Sequence, residues 1–110
     1  MARLSERERA RYSRMFHALS NPHRLAVYIR LASVCGRVHH RKSIAELRAR
    51  VGELCRDLDI APSTVSHHLK ELREAGLIHM EREGQTVGCW VDVLALEDLG
   101  RFFTHVAPGG

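Results

Sequence analysis

The chain has 110 residues, enough for one small domain with a modest hydrophobic core. Seventeen lysines and arginines against 13 aspartates and glutamates give a formal net charge of +4, which suits a nucleic-acid partner. No apolar run approaches the length of a membrane span, and the mixed Arg/Glu N-terminus is unlike a secretion signal. The 3 cysteines therefore predict reduced thiols in the cytoplasm, which argues against a disulfide-stapled secreted domain.

A capping box predicts the first helix, because Ser5 is followed three residues later by Glu8. This helix is expected over 5–19. Asn21 and Pro22 suit the cap and first turn of a second helix, which Gly36 is expected to close. The apolar stripe of the first helix consists of Tyr12, Met15, Phe16 and Leu19. The inward face of the second is predicted to hold Leu25, Ala26, Tyr28, Ile29 and Ala32.

The next segment, 37–50, is the least regular part of the chain. Basic residues crowd the stretch from Arg37 to Lys42, which predicts a mobile loop. Ser43 could then cap a short helical turn over 45–50.

The stretch from Val51 to Ile78 has the pattern of a helix-turn-helix, predicted over about 52–75. Leu54 and Leu58 lie four residues apart, as on one face of a helix. The next three residues break this pattern, and Pro62 then fits the first position of a second helix. A glycine at the far end, Gly76, can adopt the left-handed conformation that ends a helix. The inward residues of the second helix are Val65, Leu69 and Leu72.

Placing those residues inward turns a polar face outward. Small hydroxyls, an imidazole and a lysine suit the major groove of DNA, where they can read base edges and contact phosphate. An ordinary solvated helix face is the alternative, and the preceding helix and turn favour DNA. His68, at the inward edge, is predicted to be packed rather than exposed. The predicted DNA contacts on this helix are Ser63, Thr64, Ser66, His67 and Lys70.

A β-hairpin wing is predicted over about 77–93, because two extended runs flank a turn at 83–85. Arg82 and Gln85 lie near its tip, where they are predicted to contact the DNA backbone or the minor groove. For Gln85 a solvated turn is the equal alternative. The fold class expected is therefore mostly α (α+β), a single winged helix-turn-helix domain over 1–110.

Asp92 is expected to cap a last helix over 93–106. Both terminal helices carry more bulky apolar residues than a core of this size needs. A two-fold homodimer that packs them together would bury this surface, and it is predicted on that ground. The apolar side of the last helix consists of Leu94, Leu99, Phe102, Phe103 and Val106.

These motifs resemble the ArsR/SmtB family of bacterial metal- and metalloid-responsive repressors. The similarity covers nearly the whole chain and rests on LSNPHRL at 19–25, ELC at 53–55, APSTVSHHL at 61–69 and LREAGLI at 72–78. It implies a dimeric repressor that binds an inverted repeat of double-stranded DNA and releases it when an inducer binds. It also implies that positions 63, 64, 66 and 67 read bases, and that a short strand near Val51 pairs with the returning wing strand.

The sensing site departs from the family pattern. Arsenic-sensing members have a cysteine at the position of Cys55 and a second two residues on, where this chain has Asp57. Zinc-sensing members use paired Asp and His on the last helix, where this chain offers only His105.

Three soft thiolates would suit As(III), so Cys35, Cys55 and Cys89 are the predicted ligands of a thiophilic inducer. His39 and His40 could instead complete a mixed Cys/His site for zinc or cadmium. For Cys89, which shares a strand face with two valines, core packing is the competing interpretation.

Two other classes of function are weighed against this hypothesis. The first is a metal-independent or thiol-redox-responsive DNA-binding regulator, which would need an exposed cysteine of low pKa. The second is a small hydrolase using Cys or His. No glycine-rich phosphate loop, nucleophile elbow or H-E-x-x-H run is present, so no enzyme activity and no organic cofactor is expected.

Overall fold

The computed structural model describes residues 3–36 and 49–106. Within these ranges the chain forms five helices and three strands. In chain order they are α1 (Glu6–Ala18), α2 (Pro22–Gly36), β1 (Ala49–Arg50), α3 (Val51–Leu58), α4 (Pro62–Glu74), β2 (Ile78–Glu83), β3 (Thr86–Val91) and α5 (Val93–Val106). The predicted loop at 37–42 and the first part of the helical turn predicted over 45–50 lie outside the described residues. The end of that turn was predicted wrongly, because Ala49 and Arg50 form strand β1, which pairs with β3.

Side-chain caps fix the starts of three helices, as predicted. The Ser5 hydroxyl accepts from the amide of Glu8, and the Glu8 carboxylate accepts from the amide of Ser5, so both halves of the capping box are present. Asn21 accepts from the amide of Arg24 at 3.0 Å in the first turn of α2. Asp92 accepts from an amide in the first turn of α5 at 2.8 Å.

Two left-handed residues shape the helix-turn-helix. Asp59 has a φ of 52°, and the amide that follows it donates to the carbonyl of Cys55 at 3.3 Å. Aspartate is among the few non-glycine residues that adopt this conformation readily. Gly76 has a φ of 79°, and the amide of Leu77 donates back to the carbonyl of Leu72 at 3.0 Å. This hydrogen bond is the Schellman closure of α4, which confirms the predicted role of Gly76.

The wing is the outer hairpin of a three-stranded antiparallel sheet with strand order β1-β3-β2. The pair Glu83 and Thr86 closes a two-residue turn at Gly84–Gln85, and Gly84 has the positive φ of 58° that tight hairpins favour. The strand expected near Val51 from the family resemblance is β1, in which Ala49 pairs with a residue of β3. The predicted winged helix-turn-helix is confirmed.

The core lies between α2, the helix-turn-helix and the sheet, with Met15 of α1 fully buried against it. The predicted inward face of α2 is partly wrong. Leu25 and Ile29 are 39% and 58% exposed, whereas Val27 and Leu31 are 0% and 1% exposed. Apolar residues occur around much of α2, so helical periodicity was compatible with either of two neighbouring apolar stripes as the buried face. Packing of α2 against α4 and β3 selects the stripe that contains Val27, Tyr28 and Leu31.

Candidate nucleic-acid interface

Helix α4 has one face buried in the core and an opposite face exposed to solvent. The inward residues Val65, Leu69 and Leu72 are all 0% exposed, so the orientation of the helix about its own axis is fixed by the core. The residues predicted to contact DNA all lie on the solvent side of this helix. They are Ser63, Thr64, Ser66, His67 and Lys70. Small hydrogen-bond donors that can enter the major groove therefore lie on a solvent-facing surface.

The wing residues Arg82 and Gln85 are also exposed. Gln85 occupies the two-residue turn itself, and Arg82 lies on β2 opposite Val87 of β3. A guanidinium and an amide at the end of a short hairpin can contact phosphate and sugar oxygens without a specific base sequence.

A cleft of about 460 Å³ connects the two predicted contact regions. It lies between α3, α4 and the wing. Ser66 of α4 and Gln85 of the wing turn line the same cleft, so tertiary structure brings these two predicted residues together. Arg56 of α3 and Thr86 of β3 also line it. Arg56 was not among the predicted contacts, although its place on the exposed side of the first helix of a helix-turn-helix was a usable signal.

His68 lies beneath the exposed face of α4 and is 5% exposed, which confirms the prediction that it is packed. The Arg24 side chain donates from Nε to Nδ1 of His68 over 3.4 Å, and donates from Nη1 to the carbonyl of Ala18 over 3.2 Å. Burial lowers the pKa of His68, and the nearby charges of Arg24, His67 and His23 lower it further. Both effects favour the neutral form of the His68 imidazole.

The predicted thiol site remains a prediction. Cys89 is 0% exposed and packs in the core, which confirms its packing role, and burial raises the pKa of its thiol to about 12. Cys55 is half-buried on α3. Cys35 lies in the last turn of α2, and its side chain is outside the described part of the structure, as are His39 and His40. No group of three potential metal ligands occurs among the described residues.

The terminal helices meet through aromatic rings and one ion-pair cluster. The ring centroid of Phe102 lies 4.9 Å from that of Tyr12 and 5.0 Å from that of Phe16. The Tyr12 hydroxyl donates to the carbonyl of Asp98 at 3.1 Å, and the Asp98 carboxylate pairs with Arg11 at 2.7 Å and with Arg101. These contacts hold α1 on α5.

The outer side of α5 remains apolar and exposed. Leu94, Phe103 and Val106 are 70%, 59% and 43% exposed. None of the helices in the described ranges is both long and apolar enough to span a membrane.

Residues 42–80 match the family of bacterial regulatory proteins named arsR. This segment contains the helix-turn-helix and the start of the wing. No curated protein is significantly similar to the chain.

Several solved structures share the fold. HlyU from Vibrio cholerae N16961 is 26% identical, with a TM-score of 0.66 and coverage of 91% of this chain and 99% of that one. An ArsR-like transcriptional regulator from Rhodococcus sp. RHA1 is 19% identical, with a TM-score of 0.67 and coverage of 89% and 80%. The transcriptional repressor BigR from Xylella fastidiosa is 21% identical, with a TM-score of 0.64 and coverage of 93% and 92%. The helix-turn-helix segment of this chain is thus similar in sequence to the arsR family of bacterial regulatory proteins, and the fold of the chain is similar to that of HlyU.

Proposed function

We propose that this protein is a transcriptional repressor that binds operator DNA, with α4 in the major groove and the wing against the adjacent backbone. The observation that carries the proposal is that α4 has one buried apolar face and one exposed polar face. Its apolar residues are fully buried, and its hydroxyl, imidazole and ammonium groups all face solvent. The cleft that joins α4 to the wing extends this polar surface and supplies Arg56 as a further cation.

The residues divide into two roles by their chemistry. Ser63, Thr64, Ser66 and His67 carry short donors and acceptors that can discriminate between base edges. Lys70 and Arg82 carry long cationic side chains suited to phosphate, which contributes affinity but no sequence information. A specific complex needs both roles.

Fluorescence anisotropy tests this assignment directly. The protein is titrated into the duplex upstream of its own coding sequence and, in parallel, into a shuffled duplex of equal length and composition. We expect the protein to bind the upstream duplex more tightly than the shuffled duplex. This difference should persist when the salt concentration is raised until the shuffled duplex dissociates. Equal affinities at every salt concentration would contradict sequence-specific binding by this chain at its own promoter.

We further propose that the regulator acts as a homodimer through α1 and α5. Phe103 contacts Phe16 of the aromatic cluster of Tyr12, Phe16 and Phe102, so exposed apolar surface extends over both helices. Leu94 and Val106 are further exposed apolar residues of α5. Contiguous apolar surfaces of this kind are typical of interfaces between proteins. A two-fold dimer would also present two copies of α4 to two half-sites of an inverted repeat.

We propose a thiophilic inducer, with As(III) as the first candidate, acting at Cys55. Support comes from the turn of the helix-turn-helix, because the carbonyl of Cys55 accepts the hydrogen bond that leads the chain from α3 toward α4. Binding at the Cys55 thiol that displaces the backbone of this residue would therefore disturb the turn that leads into α4. The competing proposal is a thiol-redox response, and HlyU from Vibrio cholerae is a relative that has been solved in its reduced form.

Arsenite and peroxide separate the two inducers. Each is added to the reduced protein bound to the upstream duplex, alongside the Cys55→Ser variant. Release by arsenite that disappears in the variant supports the metalloid proposal, and release by peroxide alone supports the redox proposal. Binding that neither reagent disturbs would leave the DNA-binding proposal in place and remove both inducers.

A further inference from the structure

Three helices are tied together by one arginine. Arg24, in the first turn of α2, donates to the carbonyl of Ala18 at the end of α1 and to Nδ1 of His68 on α4. Its own amide is fixed by the side chain of Asn21, which caps α2. The guanidinium therefore lies at a defined place, and it links α1 and α2 to α4 directly beneath the exposed face of α4.

We propose that Arg24 and His68 are positioning residues for sequence recognition, and that His68 must be neutral to hold α4 in its base-reading orientation. The proposal rests on the proposed binding of DNA by α4. Neither side chain is assigned a contact with DNA, because His68 is buried and Arg24 is half-buried against α1 and α4.

The hydrogen bond sets the protonation state that the pair requires. Nδ1 of an imidazole can accept from Arg24 only when the ring is neutral and carries its proton on Nε2. Protonation of His68 removes this acceptor and places a cation 3.4 Å from the guanidinium. His23 of α2 and His67 of α4 add positive charge at the same place when they are protonated. A protonated His68 must therefore leave the interface or force α2 and α4 apart.

A movement of His68 directly affects the proposed DNA-binding face, because His68 lies on the same helix as the residues of that face. His67 is the next residue along α4, and the two rings are 5.9 Å apart between centroids. Thr64 lies one turn before His68 on the same helix. Rotation or displacement of α4 at His68 therefore shifts the side chains that are proposed to read bases. The same protonation increases the net positive charge of the protein, which attracts phosphate.

The two kinds of DNA binding should consequently respond to acid in opposite directions. Binding to the upstream duplex should weaken by up to about tenfold per pH unit below the pKa of His68, since one proton must be released on binding. Binding to the shuffled duplex should strengthen, because the protein gains positive charge in acid. A merely structural role for His68 would not produce this divergence while the protein remains folded.

The decisive variant is His68→Asn, whose side-chain oxygen can accept from Arg24 but cannot be protonated in this range. Anisotropy on both duplexes is measured for the wild type, for His68→Asn and for the control His23→Asn. The pH is lowered from 8 to the lowest value at which circular dichroism shows that all three remain folded. We expect His68→Asn to retain its preference for the upstream duplex in acid. We expect the wild type and His23→Asn to lose it.

A parallel loss of preference in His68→Asn and the wild type would overturn the proposal. An NMR titration of the wild type keeps the test independent of DNA and of whether the variant folds. The amide signals from Ser63 to His67 should show a step with the midpoint of the His68 imidazole, and absence of that step would overturn the proposal as well. A lack of preference for the upstream duplex at pH 8, with the NMR step present, would instead overturn the proposed operator and leave the positioning role standing.

Discussion

Replacement of Phe103 by alanine should weaken the proposed dimer strongly. Phe103 is 59% exposed in the single chain. A phenylalanine side chain offers roughly 200 Å² for burial, so each copy presents roughly 120 Å². The residue occurs twice in a two-fold dimer, which gives roughly 240 Å² and about 6 kcal/mol at about 25 cal/mol per Å². Alanine keeps part of this area and burial need not be complete, so about 3 kcal/mol is expected, equivalent to a roughly 100-fold larger dissociation constant.

Sedimentation velocity across a range of protein concentrations measures this change. Ile29→Ala is the matched control, because Ile29 is 58% exposed but lies on α2 rather than on α1 or α5. Thermal denaturation of both variants monitors the packing that Phe103 makes with Phe16, whose ring centroid is 5.7 Å away. A Phe103→Ala protein that dimerises like the wild type would refute the reasoning, and so would an equal loss in Ile29→Ala.

Three further substitutions test the DNA contacts and the fold. His67→Ala should cost about 1–3 kcal/mol on the upstream duplex and leave the shuffled duplex nearly unchanged; equal losses in anisotropy on both would remove its role in base reading. Arg82→Ala should lower affinity on every sequence and reduce the salt slope by about 1, so an unaltered slope would place Arg82 outside the interface. Asp92→Ala should destabilise the protein by about 1 kcal/mol through loss of the α5 cap, whereas Asp92→Asn, which keeps the cap, should not. Thermal denaturation compares these two variants, and equal melting temperatures would contradict the capping role.

Much of the local structure was predictable because its causes lie within a few residues. Three features depend on hydrogen bonds between near neighbours in the sequence. They are the capping box of Ser5 and Glu8, the cap at Asn21 and the end of α4 at Gly76. The buried and exposed faces of α4 were also predictable. Val65 and Leu69 repeat at the helical period, which defines the buried face and therefore the polar face opposite to it. These patterns determined the winged helix-turn-helix and its candidate DNA surface.

The sequence alone could not select among contacts between distant segments. Two apolar stripes were available on α2, and only the packing of α4 and β3 decided that Val27 is buried and Ile29 exposed. The hydrogen bond between Arg24 and His68 joins residues 44 positions apart. Periodicity places each of them on a face of its own helix, but it carries no information about the angle and register at which two helices meet. Those quantities follow from how the side chains of all the packed elements fit together, and they decide which charges lie beneath the face that reads DNA.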